Sequence, residues 1–151
     1  MQTITPFLWF DDNLGQALDF YGAIFTDFRV LDASRMGPDA PIFTATFEIN
    51  GQKLMGLNGG PHFQFTEAIS LFISVDNQAE IDRLWDALSD GGSTSQCGWL
   101  KDRFGLSWQV VPSTLGDLLG HPDRDRANKA MQAMLQMVKL KIADLQAAFD
   151  S

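Results

Sequence analysis

The sequence contains two similar stretches. Residues 7–13 form an apolar run that ends in polar residues and leads into an amphipathic segment over 14–25, and residues 71–77 and 78–88 repeat that order. A repeat of this kind constrains the fold more than any single motif, because each copy is one supersecondary unit of a common plan. We therefore expect two halves that each begin with a strand and a helix, with a cavity where the halves face each other.

Composition limits the classes of protein to consider. The 151 residues are predicted to form one domain, 1–151, because a chain of this length buries about two-thirds of its unfolded surface. A net charge of −8 argues against nucleic acid as a partner, since binding it requires clustered Lys and Arg. No apolar run reaches the roughly 18 residues of a membrane span, so no membrane partner is expected. A single cysteine and an N-terminus without signal-peptide features indicate a cytoplasmic protein.

The first half is predicted to fold as β-α-β-β-β. Asp12 or Asn13 is expected to cap the helix, whose apolar residues recur at helical spacing from Ala17 to Phe25. Asn50-Gly51 is a strong signal for a two-residue hairpin. The predicted strands cover 3–10, 28–33, 42–49 and 52–57.

The second half is predicted to repeat this order with shorter strands. Gly91-Gly92 is expected to end the helix, because glycine readily adopts the left-handed conformation at a helix C-terminus. Pro112 opens an extension with one apolar helical stripe from Ala130 to Leu145. The predicted strands cover 69–75, 94–97, 99–101 and 107–111, and the helix covers 78–88. The predicted modules are thus 3–58 and 68–111, followed by a helical C-terminal extension, 112–151.

Several motifs together resemble a known family. They are residues 6–10 with Phe20-Tyr21, residues 57–61 with 65–70, residues 96–102 with 105–109, and the Met-rich segment 131–137. Together they resemble the PhnB-like branch, often labelled 3-demethylubiquinone-9 3-methyltransferase, of the glyoxalase, bleomycin-resistance and dioxygenase superfamily. The resemblance covers essentially the whole chain. It implies the α+β vicinal oxygen chelate fold, with paired βαβββ modules and a helical C-terminal extension.

The resemblance also implies where a metal would bind. Metal-dependent members of the superfamily take ligands from the first and last strand of each module, and the ion acts as a Lewis acid. In this chain those positions fall on Pro6, Asn58, Ser70 and Gln109. Proline offers no ligand atom, and the other three side chains are neutral and weak ligands. We therefore expect no metal ligands and no cofactor, unless a partner chain supplies strong ligands.

Strand alternation divides the side chains between the helix side and the cavity side. If the former ligand positions face the cavity, Leu8, Phe72 and Ser107 face it too, and Trp99 either lines its mouth or anchors a short strand. The helix side would hold Phe7, Trp9, Leu71, Ile73 and Trp108. The predicted substrate-binding residues are Pro6, Leu8, Asn58, Ser70, Phe72, Trp99, Ser107 and Gln109. This mixture of apolar groups with a few amides and hydroxyls is typical of a small-molecule pocket.

Two reactive side chains are candidate catalysts. His62, in the Gly-Gly-Pro linker, is the best-placed general base, because histidine exchanges protons near neutral pH; otherwise it is an exposed or edge-packed side chain. Cys97 would need a neighbouring base or cation to form a thiolate. Lys101 is close to it in sequence, but a structural role is the favoured interpretation for this cysteine.

The methyltransferase label finds no chemical support in the sequence. Methyltransferases that bind S-adenosylmethionine usually carry a glycine-rich turn between a strand and a helix. Here Gly59-Gly60 precedes a proline, Gly91-Gly92 follows a helix, and Asn50-Gly51 is a hairpin turn.

Three functions remain open at this stage. The favoured one is a metal-free small-molecule binding protein with a largely apolar cavity. The alternatives are a metal-dependent lyase, isomerase or dioxygenase, and a metal-free enzyme that uses His62 or Gln109. A homodimer is also predicted, because exposed strand edges and the Met-rich C-terminal segment need burial. Whether the two halves pair within one chain or swap across the dimer stays open.

Overall fold

The structure, a computed structural model, describes residues 1–151 and has a mixed α+β architecture with two four-stranded sheets and five helices. The chain divides into two compact units, 1–65 and 66–151. Each unit contains the succession β-α-β-β-β, and the second continues into three further helices. The predicted fold class is confirmed. None of the helices combines the length and the hydropathy of a membrane-spanning segment.

The first unit is built around the sheet β1-β4-β3-β2. The first and last strands of the module are parallel neighbours, and the other pairs are antiparallel. The hairpin between β3 and β4 turns at Asn50 and Gly51, whose φ angles of 50° and 82° confirm the predicted two-residue turn. The elements are β1 Phe7–Phe10, α1 Leu14–Ile24, β2 Phe28–Arg35, β3 Ile42–Ile49 and β4 Gln52–Asn58.

The second unit repeats this topology in the sheet β5-β8-β7-β6. The outer pair β5–β8 is again parallel, and α2 packs on the sheet with its buried residues Ile81, Leu84, Trp85 and Leu88. Gly91, with φ of 80°, follows the end of α2 as predicted. The elements are β5 Ser70–Val75, α2 Gln78–Ser89, β6 Ser93–Thr94, β7 Trp99–Lys101 and β8 Ser107–Pro112.

The C-terminal extension consists of α3 Leu115–Leu119, α4 Arg124–Leu135 and α5 Ile142–Asp150. The single helical stripe predicted from Ala130 to Leu145 is wrong, because residues 136–141 are not helical. In this segment the carbonyls of Met137 and Val138 accept hydrogen bonds at 2.8 Å from the N–H groups of Cys97 and Gly98. The chain leaves the helix here to meet the β6–β7 turn, and Leu140 becomes fully buried.

One buried cluster joins the extension to the second sheet. Val111 at the end of β8 packs with apolar side chains from all three helices. Its buried members are Val111, Leu115, Leu118, Ala130, Leu140, Leu145 and Phe149. Gln78, the first residue of α2, adds a polar link, since its Nε2 donates to the Leu140 carbonyl at 3.1 Å and its Oε1 accepts from the Ile142 N–H at 2.8 Å.

Candidate functional site

The face of the second sheet turned away from α2 carries four of the predicted site residues. In the parallel β5–β8 pair, Ser70 lies opposite Ser107 and Phe72 lies opposite Gln109. The Gln109 Nε2 donates to the Ser70 Oγ at 3.0 Å, and Phe72 is 61% exposed. Because side chains alternate along a strand, these four residues share one face of the sheet. We call it the open face.

A cavity of about 540 Å³ lies at one side of the open face, and we call it the polar cavity. Lys101 Nζ and Glu67 Oε1 form an ion pair at its rim. The hydrogen bond from Lys101 holds the pKa of the Glu67 carboxyl below its ordinary value. The lining residues are Glu67, Ser93, Thr94, Ser95, Gln96, Cys97, Trp99, Leu100, Lys101 and Ser107.

Ser107 is the most unusual group in the polar cavity. The residue is completely buried, and its Oγ has no hydrogen-bond partner within the protein. Buried polar groups in folded proteins almost always have a partner, so an exception calls for an explanation. A hydroxyl both donates and accepts, and Ser107 is one of the residues that line a space large enough for a small molecule.

A second cavity, of about 410 Å³, lies between the open face and helices α3 and α4, and we call it the apolar cavity. No charged side chain lines it, and Trp99 and Cys97 line both cavities. Trp99 therefore stands between two adjacent compartments. The lining residues are Phe72, Ser74, Cys97, Trp99, Gln109, Val111, Pro112, Ser113, Leu115, Gly116, Leu119 and Met134.

The turn that carries Cys97 and Trp99 replaces part of a predicted strand. The strand expected over 94–97 ends at Thr94, because Cys97 and Gly98 have φ angles of 59° and 84° and form a tight turn. The turn closes with a hydrogen bond from the Trp99 N–H to the Gln96 carbonyl at 3.1 Å. A non-glycine residue in this conformation costs about 1–2 kcal/mol. The hydrogen bonds to residues 137 and 138 hold it there, and the Cys97 Sγ lies 3.5 Å from the Met134 carbonyl.

Asp102 supports the site from beneath the sheet. Its carboxylate is buried, with the residue 2% exposed, and accepts hydrogen bonds from the Trp108 Nε1 at 2.9 Å and from two backbone N–H groups of the β7–β8 turn. This arrangement fixes the turn between Lys101 and Ser107. Asp102 is not among the site residues predicted from the sequence, although aspartate before a glycine-containing turn commonly bonds to the backbone two residues on.

Asn58 has a different environment from the one predicted. Its Oδ1 accepts from the Leu14 N–H at 2.9 Å, and its Nδ2 donates to the Ile42 carbonyl at 2.8 Å. The side chain thus joins the start of α1 to β3 and β4. The predicted cap by Asp12 or Asn13 is wrong in this respect, because Asn13 occupies the N-cap position without a side-chain hydrogen bond.

The predicted orientation of β1 is wrong by one residue. Leu8 and Phe10 are buried, and a side chain at Gly56, the neighbour of Leu8, would contact Leu14 of α1 and Phe10. Leu8 therefore lies on the helix side, and Phe7 and Trp9 lie on the other. All four residues of β1 are apolar, so the sequence offers no alternation from which to choose a face. Pro6 precedes the strand, half-buried, and its carbonyl accepts from the Met55 N–H at 2.9 Å.

Trp9 explains the paired glycines of the linker. A Cβ at Gly59 would lie 2.3 Å from the indole ring, so only glycine fits beneath it. The indole Nε1 donates to the Gly60 carbonyl at 2.9 Å, and Phe63 packs edge-on against the ring at 5.0 Å. His62 is exposed on the same linker, and the residues that line the two cavities do not include it.

The residues at the former ligand positions do not fit a divalent metal. Pro6 has no donor atom, both polar atoms of Asn58 are bonded to the main chain, and Ser70 and Gln109 are neutral and bond to each other. No three His, Cys, Asp or Glu side chains lie close enough together to hold a metal ion. Strong protein sites for divalent ions use anionic or imidazole ligands, which this donor set lacks.

The comparisons with known proteins agree with this architecture. Residues 2–111 match the family described as 3-demethylubiquinone-9 3-methyltransferase. The chain belongs to this family. Among solved structures, a PhnB protein from Bacillus cereus is 30% identical, with a TM-score of 0.68, over 74% of this chain and 99% of that one. No curated protein matches the chain.

More distant structures share the fold. Protein PA1353 from Pseudomonas aeruginosa is 24% identical with a TM-score of 0.60, over 74% of this chain and 98% of that one. The fosfomycin resistance protein FosX from Listeria monocytogenes, complexed with Mn(II) and sulfate, is 14% identical with a TM-score of 0.54, over 72% and 89%. The predicted membership of the PhnB-like family is confirmed, and the more distant structures show that the fold is shared more widely.

The name of the family describes an activity that the chain's glycines do not support. Gly59-Gly60 follows β4 and leads into an extended linker, Gly91-Gly92 follows α2, and Gly51 joins two antiparallel strands. None of these glycines leads from a strand into a helix, which is where a nucleotide-type cofactor is usually bound.

Proposed function

We propose that this protein binds a small organic molecule on the open face of its second sheet, without a divalent metal. The observation that carries the proposal concerns Ser107, which is one of the residues that line the polar cavity and whose buried Oγ has no partner in the protein. Leaving a buried polar group unpaired costs about 1–3 kcal/mol. A polar atom of a bound ligand would remove this cost.

The other polar groups of the open face support the same proposal. The Gln109 amide is oriented by its hydrogen bond to Ser70, which leaves its Oε1 directed elsewhere as an acceptor. Phe72 and Trp99 supply aromatic surface beside it. Small-molecule sites combine apolar walls with a few fixed polar groups in this way. The predicted binding roles of Ser70, Phe72, Trp99, Ser107 and Gln109 form part of this proposal.

We test the proposal with the variant Ser107→Ala and the probe 4-ethylphenol. Without ligand, the variant should unfold at the same or a higher temperature than the wild type, because it loses an unpaired buried hydroxyl. With the probe, its affinity should fall by about tenfold, which corresponds to one hydrogen bond of about 1.4 kcal/mol. Calorimetry measures both quantities.

Ser34→Ala, at an exposed serine of the first unit whose Oγ bonds to the Thr44 Oγ1, is the control: it should leave the affinity for the probe unchanged and should not raise the unfolding temperature. A lower unfolding temperature for ligand-free Ser107→Ala would show a structural role for the hydroxyl and contradict the proposal. So would a wild-type protein that binds no compound in a broad thermal-shift screen. A native mass spectrum that shows one transition metal per chain, after purification without chelator, would contradict the proposal and favour the metal-dependent enzyme.

We also propose that the protein is a homodimer. Several large apolar side chains are more than half exposed, among them Phe72 and Ile69 at the β5 strand and Phe63 in the linker. Large apolar side chains left exposed in this number favour an association surface. Light scattering at micromolar concentration tests this, and a monomer would refute it.

A further inference from the structure

We propose that the ligand is an elongated molecule with a neutral hydroxyl or carbonyl head, a flat ring and an apolar tail, and that the C-terminal extension selects the tail. The head would lie in the polar cavity, the ring beside Trp99, and the tail in the apolar cavity. This inference rests on the proposed function and adds the chemical class of the ligand.

The two cavities are adjacent. Trp99 and Cys97 line both of them, so the two spaces meet at one turn of the chain. Each cavity, at about 540 and 410 Å³, is within the range of single small-molecule sites. A ligand that fills both is therefore longer than one that satisfies Ser107 alone. Trp99 offers a flat apolar surface at the junction, which suits an aromatic ring.

The charges at the rim of the polar cavity bear on the ligand's head group. Its rim carries one cation, Lys101, and one carboxylate, Glu67, and these two are paired with each other. An ionised ligand head would therefore lose part of its water without meeting an unpaired counterion at this rim, which is unfavourable. The unpaired Ser107 hydroxyl needs only one neutral donor or acceptor. The polar cavity thus favours an uncharged hydroxyl or carbonyl group.

The apolar cavity is lined in part by the C-terminal extension. The region matched by the family ends at residue 111, and the Bacillus cereus relative aligns over 99% of its own length but only 74% of this chain. One wall of the apolar cavity comes from the part of the chain beyond residue 111. The residues concerned are Pro112, Ser113, Leu115, Gly116, Leu119 and Met134. This wall of the tail compartment therefore lies outside the region matched by the family, and Met134 gives it an adaptable surface.

The experiment measures the affinities of a series of 4-alkylphenols from ethyl to octyl by calorimetry. Phenols of this kind are neutral at pH 7, as tyrosine is. For the wild type, affinity should rise by about fourfold for each added methylene until the apolar cavity is full. In Gly116→Leu the rise should disappear while 4-ethylphenol keeps its affinity, because the new side chain occupies the tail compartment.

Gly116 is well suited to this test. It lines the apolar cavity, and a Cβ placed on it meets no atom within 4 Å. Gly15, in α1, is equally free of neighbours, so Gly15→Leu is the matched control and should keep the full chain-length dependence. Gly116→Ala is the milder second variant, and its affinity should stop rising one or two methylenes earlier than that of the wild type.

The outcomes separate the two proposals. If no alkylphenol binds and the broad screen finds no other ligand, the proposed function itself fails. If the short phenols bind in a Ser107-dependent way but chain length has no effect, the proposed function stands and the tail compartment is refuted. Tighter binding of a 4-alkylbenzoate than of the phenol of equal length would overturn the neutral head. A chain-length dependence that Gly116→Leu leaves unchanged would overturn the role of the extension.

Discussion

The two βαβββ modules share a sheet order but differ in how the helix begins. In the second module Asn77 caps α2, and its Oδ1 accepts from the Glu80 N–H at 2.9 Å. In the first, the equivalent Asn13 makes no such bond, and Asn58 reaches the start of α1 from the end of β4 instead. The same need, a partner for an unpaired helix N–H, is thus met locally in one module and from a distant strand in the other.

The modules also differ in the regularity of their sheets. Strands β2, β3 and β4 have seven or eight residues each, whereas β6 and β7 have two and three. The short strands leave room for the polar cavity, and a buried Asp102 holds the turn that a longer ladder would otherwise fix. Two modules of one topology can therefore differ in strand length, and the module with shorter strands contains the cavity.

The largest expected effect tests whether Asp102 replaces that ladder. Asp102→Ala should lower the free energy of unfolding by about 3–5 kcal/mol, because three donors, two of them buried, lose their carboxylate acceptor. Chemical denaturation measures this. Asp90→Ala, which removes an exposed carboxylate, should cost about 0.5 kcal/mol or less. Equal losses in the two variants would show that the buried carboxylate has no special role in the second module.

The next effect tests the difference in helix capping. Asn58→Ala should cost about 2–3 kcal/mol, since it breaks two hydrogen bonds to the main chain. Asn77→Ala should cost about 1 kcal/mol, the usual value for a lost cap. Asn13→Ala should stay within about 0.5 kcal/mol, as at a surface site without partners. If Asn13→Ala destabilised the protein as much as Asn77→Ala, the two modules would be capped alike and the comparison would fail.

The smallest effect concerns the ion pair at the rim of the polar cavity. Lys101→Ala should raise the pKa of Glu67 back toward its ordinary value, because the hydrogen bond from Lys101 is its main cause of lowering. A lowered carboxyl pKa stabilises the fold above the unfolded-state pKa, and this is lost as the pH falls through the folded-state pKa. The variant should therefore lose less stability in acid, by a small amount for an exposed pair. An NMR titration of the Glu67 carboxyl measures the shift.

The matched control for this pair is Arg83→Ala. It should raise the pKa of Glu80, which is lowered mainly by the hydrogen bond from Arg83, and leave Glu67 unchanged. If the pKa of Glu67 does not respond to Lys101→Ala, the two groups are not paired in solution. The ion pair would then no longer support a neutral ligand head.

The features predicted well from the sequence are those set by local pattern. The order of strands and helices follows from alternating and helical periodicities, and Asn50-Gly51 and Gly91 mark turns that need positive φ angles. The placement of Ser70 and Gln109 on one face is implied by the ligand positions of the family that the sequence resembles, and the two side chains form a hydrogen bond. That these residues bind a ligand stays a prediction.

The features that the sequence could not reveal depend on tertiary context. Four consecutive apolar residues in β1 left the buried face undetermined, and only the structure places Leu8 against α1. No glycine or proline marks the break at 136–141, which arises from hydrogen bonds to the β6–β7 turn. Whether a serine hydroxyl has a partner depends on every surrounding residue, so the isolation of Ser107 has no sequence signal.

The parallel pairing of the first and last strands of each module affects the order in which the protein folds during synthesis. In each module the first strand pairs with the last. Phe7 can therefore pair only after Met55 has been translated, and Ser70 can pair only after Ser107 has been translated. Pairings between distant segments form slowly, because a long loop must close before they contribute. During synthesis the first sheet can close while the second is still being translated. The second core also needs Phe149 from α5, so it is completed only after α5 has been translated.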